Sequence, residues 1–318
     1  MGVREIRFDP LGEYMTTVSV LIPAKNAATT LERLLTSLSR QTLRSLEIVV
    51  WDSASRDETP AIARRYGAKV VAIGEDDFDH AGTRSRMARE AQGDIALFLT
   101  HDAILADERA VESLVAALLQ ADDIGCAYGR QIAAPGASAS ARFLRDFNYP
   151  PVSEIRSLAD RAHLGFATAF CSNSFAAWRK SALAQIGWFG DNAIFGEDSR
   201  AAARLLATGF RIAYVAGATV EHSHDYTMTE EFRRSFDIGV FHAREPWLLA
   251  EFGGPSGRGK RFILKQSGEL LRAGKIGTLA ATVGRNGVKA LGYLSGRRYR
   301  LLPRRLCRFL SMNRRWWR

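Results

Sequence analysis

Over the first 120 residues short apolar runs alternate with helical stripes, and this rhythm constrains the chain more than any other feature. Residues 18–22, 46–51, 69–73 and 95–99 are short runs dominated by Val, Ile, Leu and Ala. Between them, 29–40 carries Leu31, Leu34, Leu35 and Leu38 at helical spacing, and 58–66, 83–91 and 107–119 also read as helices. Strands that are apolar on both faces and separated by helices belong in a parallel sheet covered on both sides. The predicted class is α/β, with a mostly parallel central sheet flanked by helices. No Gly-x-Gly-x-x-Gly follows the first strand, which argues against a dinucleotide site.

After Ile124 the rhythm changes. Residues 124–131, 168–178, 211–215 and 219–222 read as strands, 133–141 as a loop, and 230–244 as an amphipathic helix. A boundary is expected at 255–259, where the charge changes sign. Between Arg258 and Arg318 there are 17 Lys/Arg and one acid, Glu269; the residues before hold 27 basic and 33 acidic side chains. The formal net charge of +10 is therefore a property of the tail. The expected organisation is a domain over 1–256, with a nucleotide-binding part at 16–125 and an acceptor and catalytic part at 126–256. A basic helical tail follows at 257–318.

Ligands of an open parallel sheet bind beyond the carboxyl ends of its strands. The first strand ends in Pro23-Ala24-Lys25-Asn26 and the second in Asp52-Ser53. The third leads to Asp79-His80-Ala81-Gly82-Thr83-Arg84, and the fourth ends in Thr100-His101-Asp102. One Asp at a strand end is usually a turn residue; a set in register along one edge points to a ligand. Its chemistry suits a nucleoside diphosphate. Asp52 can accept from a pyrimidine ring N–H or a ribose hydroxyl, Arg84 offers a fork to the diphosphate, and Asp102 is a hard oxygen ligand for Mg²⁺ or Mn²⁺. Glu221-His222-Ser223-His224 adds two histidines at spacing two, which lie on one side of a strand; an Asp-His set with phosphate oxygens suits Mn²⁺.

Phe195-Gly196-Glu197-Asp198 then delivers two adjacent carboxylates to the first turn of a helix carrying Ala201, Leu205 and Leu206. Such a pair can serve as a plain helix cap. Here it is also a candidate base, and the helix N-terminus is expected to lower the Asp198 pKa. Phe170, Phe175 and Trp178 are candidates for an aromatic wall against a sugar ring, with Asn173 bonding acceptor hydroxyls.

In order and spacing these segments resemble the GT-A fold glycosyltransferases of family 2, and within them the bacterial rhamnosyltransferases of surface polysaccharide synthesis. Tyr128-Gly129-Arg130-Gln131, Phe147-Asn148-Tyr149-Pro150, Ser172 to Arg179 and Phe236-Asp237-Ile238-Gly239 carry the likeness further along the first 245 residues. The resemblance implies an inverting hexosyl transfer from a nucleotide sugar, dTDP-L-rhamnose, to a hydroxyl of a glycan acceptor on a polyprenyl-diphosphate carrier. It implies donor binding by Pro23, Ala24, Asn26, Asp52, Asp79, His80, Thr83, Arg84 and His101. The implied metal ligands are Asp102 and His222, with His224 as the alternate. Asp198 matches the catalytic base, with Glu197 orienting it or the two roles exchanged; Asn173 and Trp178 would contact the acceptor. Thr100 stands where the family's metal motif has its first Asp.

Another nucleotide-sugar donor on the same scaffold is the alternative reading. A nucleotidyltransferase is disfavoured because no Gly-rich, Lys-containing loop follows the first strand. A nucleic-acid-binding protein is disfavoured because the basic tail has no recognition-helix or zinc pattern and the front is acidic. The three cysteines, Cys126, Cys171 and Cys307, have no zinc or disulfide spacing, as expected in a reducing compartment. The first fifteen residues lack a signal-peptide core and no run is long enough to span a bilayer. The tail mixes Leu, Ile, Phe and Trp with Lys and Arg over 262–279 and 293–317. It is expected to lie on an anionic membrane surface with Trp316 and Trp317 at headgroup level. The expected location is peripheral, on the cytoplasmic face of a bacterial inner membrane.

Overall fold

The computed structural model describes residues 17–44, 46–254 and 256–318. The reading of the first fifteen residues, and Pro255 of the expected boundary, lie outside the described residues. The predicted alternation is present: β1 (Val18–Ala24), α1 (Ala28–Ser39), β2 (Leu46–Ser53), α2 (Thr59–Arg65), β3 (Lys69–Ile73), α3 (His80–Glu90), β4 (Ile95–Leu99), a two-residue β5 (Ile104–Leu105) and α4 (Ala110–Leu119). Then come β6 (Ile124–Ile132), α5 (Ala139–Asn148), β7 (Glu154–Arg156), α6 (Arg161–Leu164), β8 (Phe175–Arg179), α7 (Lys180–Gln185), α8 (Glu197–Ala207) and β9 (Arg211–Glu221). The C-terminal part is helical: α9 (Met228–Arg244), α10 (Pro246–Phe252), α11 (Ser256–Arg272), α12 (Ile276–Arg297) and α13 (Arg304–Leu310).

One sheet runs through the molecule in the order β3-β2-β1-β4-β8-β6-β9-β5, with β7 on β9. β3, β2, β1 and β4 are parallel, β8 is antiparallel to both β4 and β6, and β9 runs parallel to β6. β1 lies between β2 and β4, so the strand order reverses there and a crevice opens at the carboxyl ends. Ala24 pairs with Asp52 at that edge. Apolar side chains cover both faces of the sheet. Val20, Ile22, Val50, Ile95, Leu97 and Leu99 pack with Leu31, Leu34, Leu35 and Leu38 of α1 and with Val111, Leu114, Val115 and Leu118 of α4. Leu21, Val49, Trp51 and Phe98 pack on the other side with Met87 of α3 and Trp178.

Three expectations change. Residues 168–178 are not one strand: 165–169 form a short 3-10 helix, and only Phe175–Arg179 extends, because Ser172-Asn173-Ser174 turns the chain before the sheet. The strands expected at 211–215 and 219–222 are one, β9, whose register on β6 shifts between Val215 and Thr219; the irregularity at Gly217 is a bulge, which interrupts the apolar pattern without ending the strand. The basic tail is helical as expected, yet its end is part of the globule. Trp317 is 8% exposed and packs against Phe236, Tyr299 and Trp316. Trp316 also bonds the Asn192 carbonyl and sits under Arg244. Trp317 is not free to sit at a headgroup, because its ring is packed inside the fold, whereas Trp316 is half-buried. α12 lies along α9, and Gly239 allows it: a Cβ there would collide with the Tyr293 carbonyl. Among the described residues no helix is long and apolar enough to cross a membrane.

Candidate active site

A cleft of about 930 Å³ opens beyond the carboxyl ends of β1 and β4. Pro23 and Ala24 end β1 on its floor, with Lys25 and Ser53 beside them. Asp52 lies just beneath, 4% exposed. Its Oδ2 accepts from the Ser55 N–H at 3.1 Å, but its Oδ1 is buried without a protein partner. A buried carboxylate oxygen left unpaired costs free energy unless a ligand supplies the donor. His101 lines the cleft too, with Nδ1 2.9 Å from Thr30 Oγ1, and burial pulls its pKa down, leaving a neutral ring.

Not every strand-end residue faces this cleft. Asn26 is exposed at φ 47°; its Oδ1 accepts from the Arg56 N–H and its own N–H donates to Ser55 Oγ, so it ties two loops together. Asp79 caps α3, accepting from Ala81 and Gly82 N–H groups, and Thr83 Oγ1 accepts from the Asp79 N–H. These three expectations of donor contact are corrected to loop and cap roles: backbone donors already use the polar atoms, and none of the three lines the cleft. Trp178 is corrected as well. It is fully buried, and its indole N–H donates to Asn173 Oδ1 at 2.8 Å. Phe175 is also fully buried; of the expected aromatic wall Phe170 alone lines the cleft.

On the opposite wall Asp102, His222 and His224 come together across more than a hundred residues of sequence. His222 Nε2 is 3.4 Å from Asp102 Oδ1, His224 Nε2 is 3.6 Å from Asp102 Oδ2, and the two Nε2 atoms are 3.1 Å apart. One ligand atom from each lies within 4.8 Å of the others. His222 Nδ1 donates to Gln131 Oε1 at 2.9 Å, an arrangement that turns Nε2 toward Asp102 and His224. Gln131 is fixed in turn by donating to Ser172 Oγ at 2.9 Å. Burial, followed by the neighbouring His222, pulls the His224 pKa down to about 4. Burial opposes ionisation of Asp102, but the His222 hydrogen bond and charge outweigh it and hold the carboxyl far below its ordinary range. One carboxylate and two imidazoles fit a divalent ion such as Mn²⁺.

The carboxylate pair is built by Gly196. At φ 72° it is in the left-handed region, and a Cβ there would strike the Phe241 ring, so only glycine makes this entry into α8. Glu197 is 5% exposed and pairs with Arg84 at 3.2 Å, each side chain almost wholly buried. Burial alone would raise the Glu197 pKa, but Arg84 and then His80 reverse this and lower it. Arg84 is thus not a surface ion pair: Glu197 is its buried counterion, while it still lines the cleft and its Nε has no partner among the described residues. Asp198 is different. Its Oδ2 accepts from the Asn173 N–H at 3.2 Å and its Oδ1 from the Ser199 N–H at 2.7 Å. Burial, then the charge of Glu197, pushes its pKa up to about 7. The helix N-terminus does not win, because a cleft wall and a fixed neighbouring carboxylate outweigh it. A carboxylate poised near neutrality is matched to taking a proton from a hydroxyl.

Gln131, Lys25, Ser53, Arg145, Arg234 and Arg315 line the cleft without having been singled out for it. Gln131 was visible within the Tyr128–Gln131 motif; nothing local marks Arg315, which arrives from the C-terminus.

Comparison with known proteins agrees with this geometry. The model of the family described as "Glycosyl transferase family 2" matches residues 19–187. The O-antigen chain rhamnosyltransferase RfbN of Salmonella typhimurium is 38% identical over 94% of this chain and 96% of its own length. WbaN of Salmonella anatum, named likewise, is 36% identical over 95% and 96%. Among solved structures, a mannosyltransferase from Pyrobaculum calidifontis in complex with GDP-Man and Mn²⁺ superposes with a TM-score of 0.60. It has 17% identity and covers 92% of this chain and 89% of its own, a likeness of fold.

Proposed function

This chain belongs to glycosyl transferase family 2, and on that premise we propose that it transfers L-rhamnose from dTDP-L-rhamnose to a hydroxyl of a lipid-linked glycan in O-antigen synthesis. The observation that carries the reading is the single cleft with a buried, half-paired Asp52 beneath its floor, the Asp102-His222-His224 cluster on its wall, and Asp198 poised near pH 7. The donor sugar rests on the relatives RfbN and WbaN, both named O-antigen chain rhamnosyltransferases.

In this reading Asp52 accepts from the donor nucleoside, and Pro23, Ala24 and His101 shape its pocket. Asp102 and His222 hold a divalent ion, Mn²⁺ or Mg²⁺, with His224 as a third ligand; when bound, it stabilises the charge on the diphosphate leaving group. Asp198 takes the acceptor hydroxyl proton as that oxygen bonds the anomeric carbon and the bond to the diphosphate breaks, so the configuration inverts. Glu197, kept ionised by Arg84, raises the basicity of Asp198. Asn173, with Oδ1 held by Trp178, fixes the Asp198 carboxylate through its backbone N–H and is the candidate acceptor contact.

The membrane surface is the proposed location of the acceptor. Leu264 and Leu271 of α11 lie seven residues apart on one face, 72% and 54% exposed, and Ile276, Val283 and Leu294 are exposed along α12. Lys260, Arg261, Lys265, Arg272 and Lys275 lie on or beside the same helices. Exposed leucines among basic residues match the interfacial mode, with the cytoplasmic leaflet as the anionic surface.

The test is nucleoside diphosphate release from a panel of sugar nucleotides, with Mn²⁺, Mg²⁺ or EDTA. Release confined to dTDP-L-rhamnose and lost in EDTA is the expected result. Release from another sugar nucleotide keeps the glycosyltransferase and overturns the donor; release unchanged by EDTA overturns the metal cluster.

A further inference from the structure

In the Phe236-Asp237-Ile238-Gly239 motif Ile238 lines the cleft, but Asp237 does not. It is nevertheless a buried carboxylate, 1% exposed, on α9. All its partners come from the far end of the chain. Its Oδ1 accepts from Ser311 Oγ at 2.6 Å, and its Oδ2 from the Met312 and Asn313 N–H groups, both at 3.0 Å. Held there, Asn313 donates through Nδ2 to the Ile194 carbonyl at 2.8 Å and also bonds His80, the neighbour of the Arg84–Glu197 pair. Arg315 then reaches the β3–α3 loop, donating to the Glu75 carbonyl at 3.0 Å and pairing with its carboxylate. Glu75 is shared with Lys25 at 2.7 Å, at the end of β1. Arg318 pairs with Asp76, and Trp317 anchors the segment in the core.

Residues 311–318 therefore cross the front of the nucleotide end of the cleft, tied at both sides. Arg315 and Lys25 both line it, and the single carboxylate between them leaves one positive charge uncompensated. A guanidinium has five donors in a plane, so it can hold Glu75 on one edge and an anion on another.

We propose that residues 311–318 are a strap forming the outer wall of the donor pocket, with Arg315 as a donor-binding residue toward a nucleoside diphosphate and Asp237 as the positioning residue that holds the strap in place. The inference rests on the donor-site reading above. It extends that site to a segment more than a hundred residues beyond the matched family region.

The test titrates dTDP, with Mn²⁺ present, into wild-type protein and into Arg315→Ala, Arg315→Lys, Asp237→Asn and Arg308→Ala. Arg308 is exposed on α13 and does not line the cleft. Arg315→Ala is expected to weaken dTDP about tenfold or more, the scale of one lost charge-assisted contact. It should raise the donor KM by a similar factor and leave kcat within about threefold. Arg315→Lys recovers part of the loss and Arg308→Ala changes nothing. Asp237→Asn follows Arg315→Ala although it cannot touch the nucleotide. Because the Arg315 side chain is 45% exposed, its Ala variant remains a valid reading even where Asp237→Asn fails to fold. Wild-type binding of dTDP together with undiminished binding by Arg315→Ala overturns the strap alone. Failure of the wild type to bind dTDP or UDP overturns the donor-site reading and the strap with it.

Discussion

Replacing Asp198 by Asn keeps the shape of the side chain and removes the one carboxylate in the cleft with a pKa near neutrality. With that pKa at about 7, roughly half of the enzyme carries the base at pH 7 and about a tenth at pH 6. The wild-type rate should thus rise about tenfold per pH unit below 7 and level off above it. The Asn variant should lose transfer by about 10²–10⁴-fold, or some 3–5 kcal/mol of barrier, and should lose this limb of the profile while still binding dTDP. Stability moves the other way. The Asp198 pKa is raised on folding, so ionising it costs the folded state free energy that is absent below about pH 4 and fully present above pH 7. Asn removes a penalty of about 4 kcal/mol at pH 8, and each kcal/mol is worth roughly 1.5 °C in a chain of this size. The assays are nucleoside diphosphate release between pH 5 and 9 and thermal unfolding at pH 4 and pH 8. A variant with near wild-type activity, or one whose Tm gain is equal at both pH values, would refute the reasoning.

Three further outcomes follow from the same geometry. Gln131→Ala frees the His222 ring and should weaken Mn²⁺ by about 10–100-fold in a metal titration; unchanged affinity would remove Gln131 from the site. Glu197→Gln and Arg84→Met each leave one buried charge alone and should cost about 3–5 kcal/mol in denaturant unfolding, with the double variant costing less than the sum; additive losses would mean that the pair is not coupled. Leu264→Asp with Leu271→Asp should abolish cosedimentation with anionic vesicles without lowering the Tm, since both side chains are exposed; retained binding would move the membrane surface elsewhere.

Much of the site was legible because it sits at strand ends, and strand ends can be read from the period of the apolar residues. Asp52, Asp102, Glu197 and Asp198 were each placed by the element preceding or following them. The legible residues did not all face the ligand. Asn26, Asp79 and Thr83 have the right composition and position, but backbone donors take their polar atoms, and Trp178 is fully buried with its indole N–H on Asn173. Pattern alone cannot separate an Asp that caps from an Asp that waits for a ligand, because both follow a strand and precede a helix. Cys126 and Cys171 illustrate the same limit: 45 residues apart in the chain, they meet with sulfurs 3.5 Å apart under the cleft.

What the sequence by itself determined is the layered α/β architecture and the carboxyl edge on which the chemistry lies, since local periodicity and strand-end polarity depend only on neighbours in the chain. The tertiary structure decided everything that depends on distant partners. It set the Asp198 pKa upward through burial and Glu197, against what a helix N-terminus alone would do. It brought Arg84 to Glu197 as a buried counterion in the wall of the cleft. It also folded the end of a basic tail back onto the cleft, because Trp317 finds a core and Asp237 finds three donors there. The first outcome depends on desolvation and the others on groups brought from more than seventy residues away, and no window along the chain contains either.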